Sequence, residues 1–218
     1  MLPLDDYGVL ILDCDGVIFN SNSLKVKAME MALLNQDVGD NKLQSCLYYF
    51  KNNFGKSRFH HIEYFVDKLI KLNGSQKQEV AKRLLHDYSE KCQSLYLEAE
   101  MTPGLIQVLK EFEGAIYVAS GSEHTELNHV FEHRKIADYF IGIFGSPTFK
   151  NDIVKNIILD TKNENVLMIG DAESDFEASN SNNIDFVAYL PYSNVREKML
   201  CLANEFKFPT IEHWSELC

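Results

Sequence analysis

The stretch that most constrains the fold is a run of four apolar residues, Val9 to Leu12, followed directly by Asp13, Cys14, Asp15 and Gly16. A continuous apolar run of this length is typical of a strand buried on both faces of a parallel sheet. Because strand side chains alternate, Asp13 and Asp15 leave the strand end on one side and Cys14 on the other. Gly16 permits a sharp turn there. Two carboxylates at this edge repel each other unless a cation or a shared proton intervenes, so the stretch predicts a cation-dependent site.

Two other structures can carry the same string of residues. An EF-hand calcium loop needs a glutamate near position 24, where this chain has Leu24, and it follows a helix rather than an apolar strand. An ordinary strand-to-loop turn with two solvated acids stays open on the motif alone, because acidic residues are common in turns. The rest of the chain decides between that turn and a cation site.

Composition narrows the class of protein. A chain of 218 residues with 45% hydrophobic content can bury one core, or a core with a smaller satellite domain. The net charge of −11 argues against a general nucleic-acid binder. The first six residues show no signal peptide, and no apolar run reaches membrane-spanning length. Five cysteines without a CxxC pair indicate reduced thiols. We therefore expect a cytoplasmic monomer or small homo-oligomer that binds neither membrane nor nucleic acid, with Cys14 packed inside the sheet.

The remaining chain divides into a helical block and an alternating block. About 75 residues after Ile18 carry only helical patterns, including a helix from Leu24 to Gln36, an apolar stripe from Ile62 to Ile70, and a long helix started by a capping box at Ser75 and Gln78. Beyond Gly104, short apolar runs alternate with helical segments, which predicts right-handed βαβ units. The fold class is therefore α/β: a doubly wound parallel sheet interrupted after its first strand by a helical insertion.

Three further predicted strands end in polar residues suited to phosphate chemistry. The strand ending at Ala119 leads into Ser120–Ser122, a hydroxyl and backbone N–H groups that can face an anion. The next strand leads into a loop with Lys150, and the one after that into Asp171 and Asp175. Because parallel strands end at one edge of the sheet, we expect these groups to lie beside the first two aspartates.

In this order the motifs resemble those of the haloacid dehalogenase-like (HAD) superfamily, in the subfamily of phosphoglycolate phosphatases and β-phosphoglucomutases. The resemblance covers the whole chain. It implies a Rossmann-like core (residues 1–20 and 98–218) and a helical cap domain (residues 21–97). Two positions depart from the common pattern: Asn20 stands where the family often has Asp, and Asn151 where Pro often follows the lysine.

The resemblance also implies roles for the motif residues. Asp13 would attack phosphorus to form an aspartyl phosphate, and Asp15 would act as general acid and then general base. Ser120 and Lys150 would hold the phosphoryl oxygens. Mg²⁺ would be bound by Asp13, Asp15 through its carbonyl and Asp171, and Asp175 would complete the metal site through water or orient Lys150. Dehalogenases of the superfamily lack the second aspartate, so its presence favours phosphate ester hydrolysis.

The substrate is expected to meet the loop from Phe54 to His61. Its Gly-x-Ser-Arg sequence resembles the substrate-contacting cap loop of β-phosphoglucomutases, and Lys56 and Arg58 could grip an anionic or hydroxylated leaving group. A solvated basic loop is the alternative. Further candidate substrate-binding residues are Gly121, Ser122 and Lys25.

These observations predict an Mg²⁺-dependent phosphatase acting on a small phosphorylated metabolite, such as a sugar or polyol phosphate. A sugar phosphomutase is the alternative, although mutases carry a histidine where Lys25 stands. A protein that binds a phosphorylated metabolite without turnover is a third hypothesis.

Overall fold

A six-stranded parallel sheet forms the centre of the protein in the computed structural model, which describes residues 4–163 and 165–217. The strand order is β3-β2-β1-β4-β5-β6, so β1 lies between β2 and β4, with Val9 beside both Ala115 and Val166. All residues of β1 and β4 are buried, as their continuous apolar sequences require. The predicted doubly wound parallel sheet is confirmed. The strands are β1 (Val9–Leu12), β2 (Ala115–Glu123), β3 (Gly142–Ser146), β4 (Val166–Gly170), β5 (Asp185–Tyr189) and β6 (Thr210–Ile211).

Helices alternate with the strands in the second half of the chain. They are α5 (Leu105–Glu111), α6 (His124–His133), α7 (Lys150–Thr161), α8 (Glu173–Ser181) and α9 (Arg196–Phe206), with 3₁₀ turns at Leu4–Asp6, Ala137–Tyr139 and Trp214–Glu216. The sequence did not predict α9 or β6. The reason is that α9 buries only Met199 fully among its eleven residues and β6 has two residues, so neither carries a clear apolar pattern.

The segment between β1 and α5 contains helices only among its regular elements, as predicted. These are α1 (Asn22–Leu34), α2 (Asp40–Asn52), α3 (Arg58–Tyr64), a π-helical turn at Phe65–Leu69, and α4 (Gly74–Glu98). The predicted capping box is wrong: α4 begins at Gly74 after Asn73, no side chain caps its first turn, and Ser75 already lies within the helix. The two chain segments that enter and leave this helical unit lie side by side, with Asn20 N–H donating to the Glu100 carbonyl at 2.8 Å.

Cysteine placement agrees with the sequence analysis where the structure describes it. Cys14 is fully buried, and Cys14, Cys46, Cys92 and Cys201 are free thiols, whereas Cys218 lies outside the described residues. None of the described helices combines the length and apolar character needed to cross a bilayer.

Candidate active site

The two aspartates that follow β1 lie at the carboxyl edge of the sheet, and both are buried. The N–H of Asp13 donates to the Ile169 carbonyl at 3.0 Å, which extends the β1–β4 pairing by one residue. Gly16 turns the chain with a φ of +77°, and a β-carbon at this position would lie 2.4 Å from Oδ2 of Asp171. The glycine is therefore required both by the turn and by the close approach of the third aspartate.

Asp15 is held by four side chains. Lys25 Nζ and Ser122 Oγ donate to its Oδ2 at 2.5 and 2.9 Å, and Ser21 Oγ and the Tyr96 hydroxyl donate to its Oδ1 at 2.6 and 2.5 Å. Burial alone would raise the pKa of this carboxyl, but the charge of Lys25 and the hydrogen bonds outweigh burial and lower its pKa below the usual aspartate value. Asp15 is thus held as a carboxylate.

Three buried carboxylates meet at the same edge. One oxygen each from Asp13, Asp171 and Asp175 lies within 4.8 Å of the others. Lys150 bridges two of them, donating to Asp13 at 2.8 Å and to Asp175. Burial raises the pKa of Asp13, and repulsion from neighbouring carboxylates adds to this, although the charge of Lys150 acts in the opposite direction. Burial and repulsion from Asp175 and Asp13 also raise the pKa of Asp171. A cation placed among the three would relieve this repulsion.

The donors of this cluster fit a hard divalent cation. Every oxygen comes from a carboxylate, the ligand type that Mg²⁺ prefers. The Asp175 carboxylate accepts the N–H groups of Asp171 and Ala172 at 3.0 and 2.9 Å, which fixes its orientation. Asn22 Nδ2 donates to Asp171 at 2.7 Å, while Asn22 Oδ1 is buried without a hydrogen-bond partner among the described residues. An unpaired acceptor beside three carboxylates is consistent with a hydrated cation there.

The predicted anion-binding residues and lysine also reach this edge. Ser120–Ser122 were predicted to follow the strand, which is wrong: they lie within β2, where its pairing with β3 is irregular between Ala119 and Glu123. Ser120 is buried, and its Oγ accepts the N–H of Ser122 at 3.1 Å. Lys150 was predicted to lie in a loop, which is wrong: it is the first residue of α7. Extended Phe149 begins that helix, because its carbonyl accepts the N–H groups of the residues at 152 and 153. The first turn of this helix thus places Lys150 against Asp13.

The loop from Phe54 to His61 closes over the aspartates. Gly55 packs so tightly on the core that a β-carbon at Gly121 would lie 2.3 Å from its carbonyl oxygen. The cavity left between the two sides has a free volume of about 20 Å³, room for about one water molecule. Its lining residues are Asp13, Asp15, Lys25, Phe50, Phe54, Gly55, Lys56, Arg58, His61, Tyr88, Gly121 and Ser122.

The candidate substrate-binding residues have different surroundings in this cavity. Arg58 is buried and forms a two-pronged ion pair with Glu126 of α6 at 2.8 and 2.6 Å, with its guanidinium 5.1 Å from the Tyr88 ring centre. Lys56 is exposed and donates to Asn53 at 3.3 Å. Lys25 donates to the carboxylate of Asp15. The expectation of a solvated basic loop therefore fits Lys56 but not Arg58.

Sequence reasoning missed several residues of the site. Tyr96 and Ser21 on Asp15, Asn22 on Asp171, and Glu126 on Arg58 carry no local motif. Tyr96 lies 81 residues from Asp15 and Glu126 lies 68 residues from Arg58, so only the folded chain brings these pairs together.

Known proteins with a similar sequence or fold include hydrolases and predicted phosphatases. Residues 10–189 match the family model described as haloacid dehalogenase-like hydrolase. No curated protein matches the sequence significantly. A haloacid dehalogenase-like family hydrolase from Streptococcus pneumoniae superposes with a TM-score of 0.74 at 17% identity, over 98% of this chain and 97% of that chain.

Two further solved structures have the same fold. A predicted phosphatase from Clostridium acetobutylicum superposes with a TM-score of 0.71 at 19% identity, over 94% of this chain and 93% of that chain. A β-phosphoglucomutase from Clostridium difficile gives a TM-score of 0.67 at 19% identity, over 92% and 99% of the two chains. At these identities the likeness shows a shared fold.

Proposed function

Because this chain belongs to the haloacid dehalogenase-like hydrolase family, we propose that it is an Mg²⁺-dependent phosphatase of a small phosphorylated metabolite. The observation that carries the proposal is the pair of aspartates at the end of β1, with Lys150 on Asp13 and a separate hydrogen-bond network on Asp15. Two carboxylates in such different environments are suited to different roles in one reaction.

Asp13 is the proposed nucleophile. Its carboxylate oxygen forms a bond to phosphorus while the bond from phosphorus to the ester oxygen breaks, which leaves an aspartyl phosphate. Lys150, 2.8 Å from Oδ1, stabilises the ionised form of this carboxyl against burial. Ser120 and the N–H groups of the neighbouring residues at this irregular end of β2 would face the phosphoryl oxygens and stabilise the negative charge that develops on them.

Asp15 is the proposed general acid and base. It would give a proton to the departing ester oxygen, and it would then take a proton from the water that attacks the aspartyl phosphate. Lys25, Ser21, Tyr96 and Ser122 hold it ionised, which is the form needed for the second step. The proton for the first step therefore has to be taken up as the substrate binds.

The cation would be held by Asp13, the Asp15 carbonyl, Asp171 and Asp175. Bound Mg²⁺ would offset the charge of the carboxylates and of the phosphoryl group. Asn22 and Ser193 orient Asp171 from two sides, through its carboxylate at 2.7 Å and its carbonyl at 2.6 Å. We also propose that residues 21–97 open as a cap, because the closed cavity is too small for an ester.

Phosphate release from an aryl phosphate tests the proposal. With Mg²⁺ we expect turnover that a chelator abolishes, and Asp13→Asn should lower kcat by at least about 1,000-fold. Asp160→Asn, an exposed aspartate of α7, is the matched control and should leave kcat unchanged. Equal turnover in the chelated enzyme, or in the Asp13→Asn variant, would contradict the proposal.

A sugar phosphomutase is the second candidate, because one structure with this fold is a β-phosphoglucomutase. The contact between Lys25 and Asp15 argues for the phosphatase. The ammonium group of Lys25 is paired with the proposed general acid and base, so it is not free to bind a sugar hydroxyl. Conversion of one sugar phosphate isomer into another, without free phosphate, would identify the mutase. Binding of phosphorylated metabolites without either reaction would indicate a non-catalytic protein.

A further inference from the structure

The ion pair between Arg58 and Glu126 joins the helical unit to the sheet unit beside the cavity. Arg58 begins α3 and Glu126 lies in the first turn of α6, and their side chains are 5% and 11% exposed. Burial alone would lower the pKa of Arg58, but its bonds to Glu126 raise it, so the guanidinium stays charged. Two parallel N–H···O bonds make this the most specific of the ion-pair geometries. The positive charge of Arg58 is therefore already balanced by the carboxylate of Glu126.

The other basic groups at this end of the cavity are compensated, neutral or solvated. Lys25 is paired with Asp15 at 2.5 Å. Burial lowers the pKa of His61 to about 3, so its ring is neutral at physiological pH. Lys56 is exposed, where an ion pair contributes little. A carboxylate or second phosphate on the leaving group would lose its hydration here without meeting a free buried cation among the described residues, and it would face Glu126 behind Arg58.

Two residues that line the cavity each carry a buried hydrogen-bonding atom without a partner. Among the described residues, Arg58 Nε and His61 Nδ1 are two of the three buried side-chain nitrogen or oxygen atoms without a hydrogen bond. Both residues line the cavity, together with the rings of Phe50, Phe54 and Tyr88. A buried polar atom without a partner is costly, and a hydroxyl can both donate and accept. A hydroxyl group could therefore pair with either atom without adding a negative charge beside Glu126.

We propose that Glu126 determines specificity: by neutralising and positioning Arg58, it restricts the enzyme to monophosphates whose leaving group carries hydroxyls and no second negative charge. This inference rests on the proposed phosphatase function and deepens it. Glu126 is a positioning residue, because it reaches the substrate only through Arg58.

We call this exclusion of a second negative charge on the leaving group the charge rule, and matched substrate pairs test it. Glycerol 3-phosphate and 3-phosphoglycerate differ only in a hydroxymethyl group against a carboxylate, as do erythritol 4-phosphate and 4-phosphoerythronate, and glucitol 6-phosphate and 6-phosphogluconate. With Mg²⁺, we expect the polyol member of at least one pair to have a kcat/KM about tenfold or more above its acid partner, and no pair to show the reverse order.

Glu126→Gln tests the assigned residue. The amide keeps the shape of the side chain but frees the charge of Arg58, so the ratio of kcat/KM values for polyol over acid should fall by about tenfold, mainly through a lower KM for the acid. Glu132→Gln, an exposed glutamate on the same helix, should leave the ratio unchanged. An equal loss for both substrates would mean a merely structural role and would overturn the assignment.

Other outcomes separate this inference from the function it rests on. No phosphate release from the aryl phosphate would remove the phosphatase proposal itself. If the wild-type enzyme releases phosphate from the aryl phosphate but has an equal or higher kcat/KM for the acid members of the pairs, only the charge rule is overturned. The wild-type comparison needs no variant, so it decides the question even if Glu126→Gln does not fold.

Discussion

Stability below neutral pH should depend on one buried imidazole, His61. The residue is 1% exposed, it packs against the Phe50 ring at 4.7 Å between centres, and its Nδ1 has no hydrogen-bond partner among the described residues. Burial first, and then the charges around it, lowers its pKa to about 3 in the folded protein. The unfolded chain has an ordinary histidine pKa of about 6.5.

The sign and size of the effect follow from these two values. Between about pH 6.5 and pH 3 the unfolded state binds more protons than the folded state, so protonation favours unfolding. The contribution of His61 to stability is complete above pH 6.5 and decreases by about 1.4 kcal/mol for each pH unit below it. From pH 7 to pH 5 the loss is about 2 kcal/mol, which corresponds to roughly 1 M in the urea midpoint for an m value of about 2 kcal/mol/M.

Urea unfolding at pH 7 and pH 5 measures this loss in the wild type and in His61→Gln. Other groups also titrate between these pH values, so the relevant quantity is the difference between the two proteins. The variant should lose about 2 kcal/mol less than the wild type. His129→Gln, which replaces an exposed imidazole, serves as the control and should behave like the wild type. The reasoning is refuted if His61→Gln loses as much stability as the wild type.

Two further substitutions test the closed site and the core. Gly121→Ala should lower kcat/KM for the aryl phosphate by about tenfold or more with little change in thermal stability, because its β-carbon would lie 2.3 Å from the Gly55 carbonyl and hold the cap open; unchanged kinetics would contradict this. Thr102→Val should cost about 2 kcal/mol in urea unfolding, because the hydroxyl bridges the Val17 carbonyl at 2.6 Å and Trp214 Nε1 at 3.0 Å. Thr102→Ser keeps that hydroxyl and should restore most of the stability.

The sheet could be predicted because its signals are local. The strands β1 and β4 are unbroken apolar runs, and parallel strands need no partner information to be recognised as buried. The motif residues at the strand ends then follow from topology, since parallel strands share one carboxyl edge. Lys150 was assigned to a loop because the turn at Phe149, which begins α7, depends on backbone hydrogen bonds rather than on a capping side chain.

The surroundings of the motif residues could not be predicted in the same way. Lys56 and Arg58 are two residues apart and carry the same charge, yet one is exposed and the other is buried against Glu126. The difference arises because α3 contacts β2 and its first residue reaches Glu126 of α6, a contact between units that a sequence pattern does not encode. For the same reason the sequence named Lys25 as a substrate ligand, whereas the folded chain places it on Asp15.

A count of charges at the sheet edge links the metal to the substrate. Four aspartates (Asp13, Asp15, Asp171 and Asp175) meet two lysines there, and Lys25 and Lys150 each already contact one or two of these carboxylates. If all are ionised the edge carries two net negative charges, and a phosphate monoester adds up to two more. In a buried site such an excess of one sign is strongly unfavourable. Substrate binding and cation binding should therefore be coupled, which supports the proposed Mg²⁺ dependence on physical grounds.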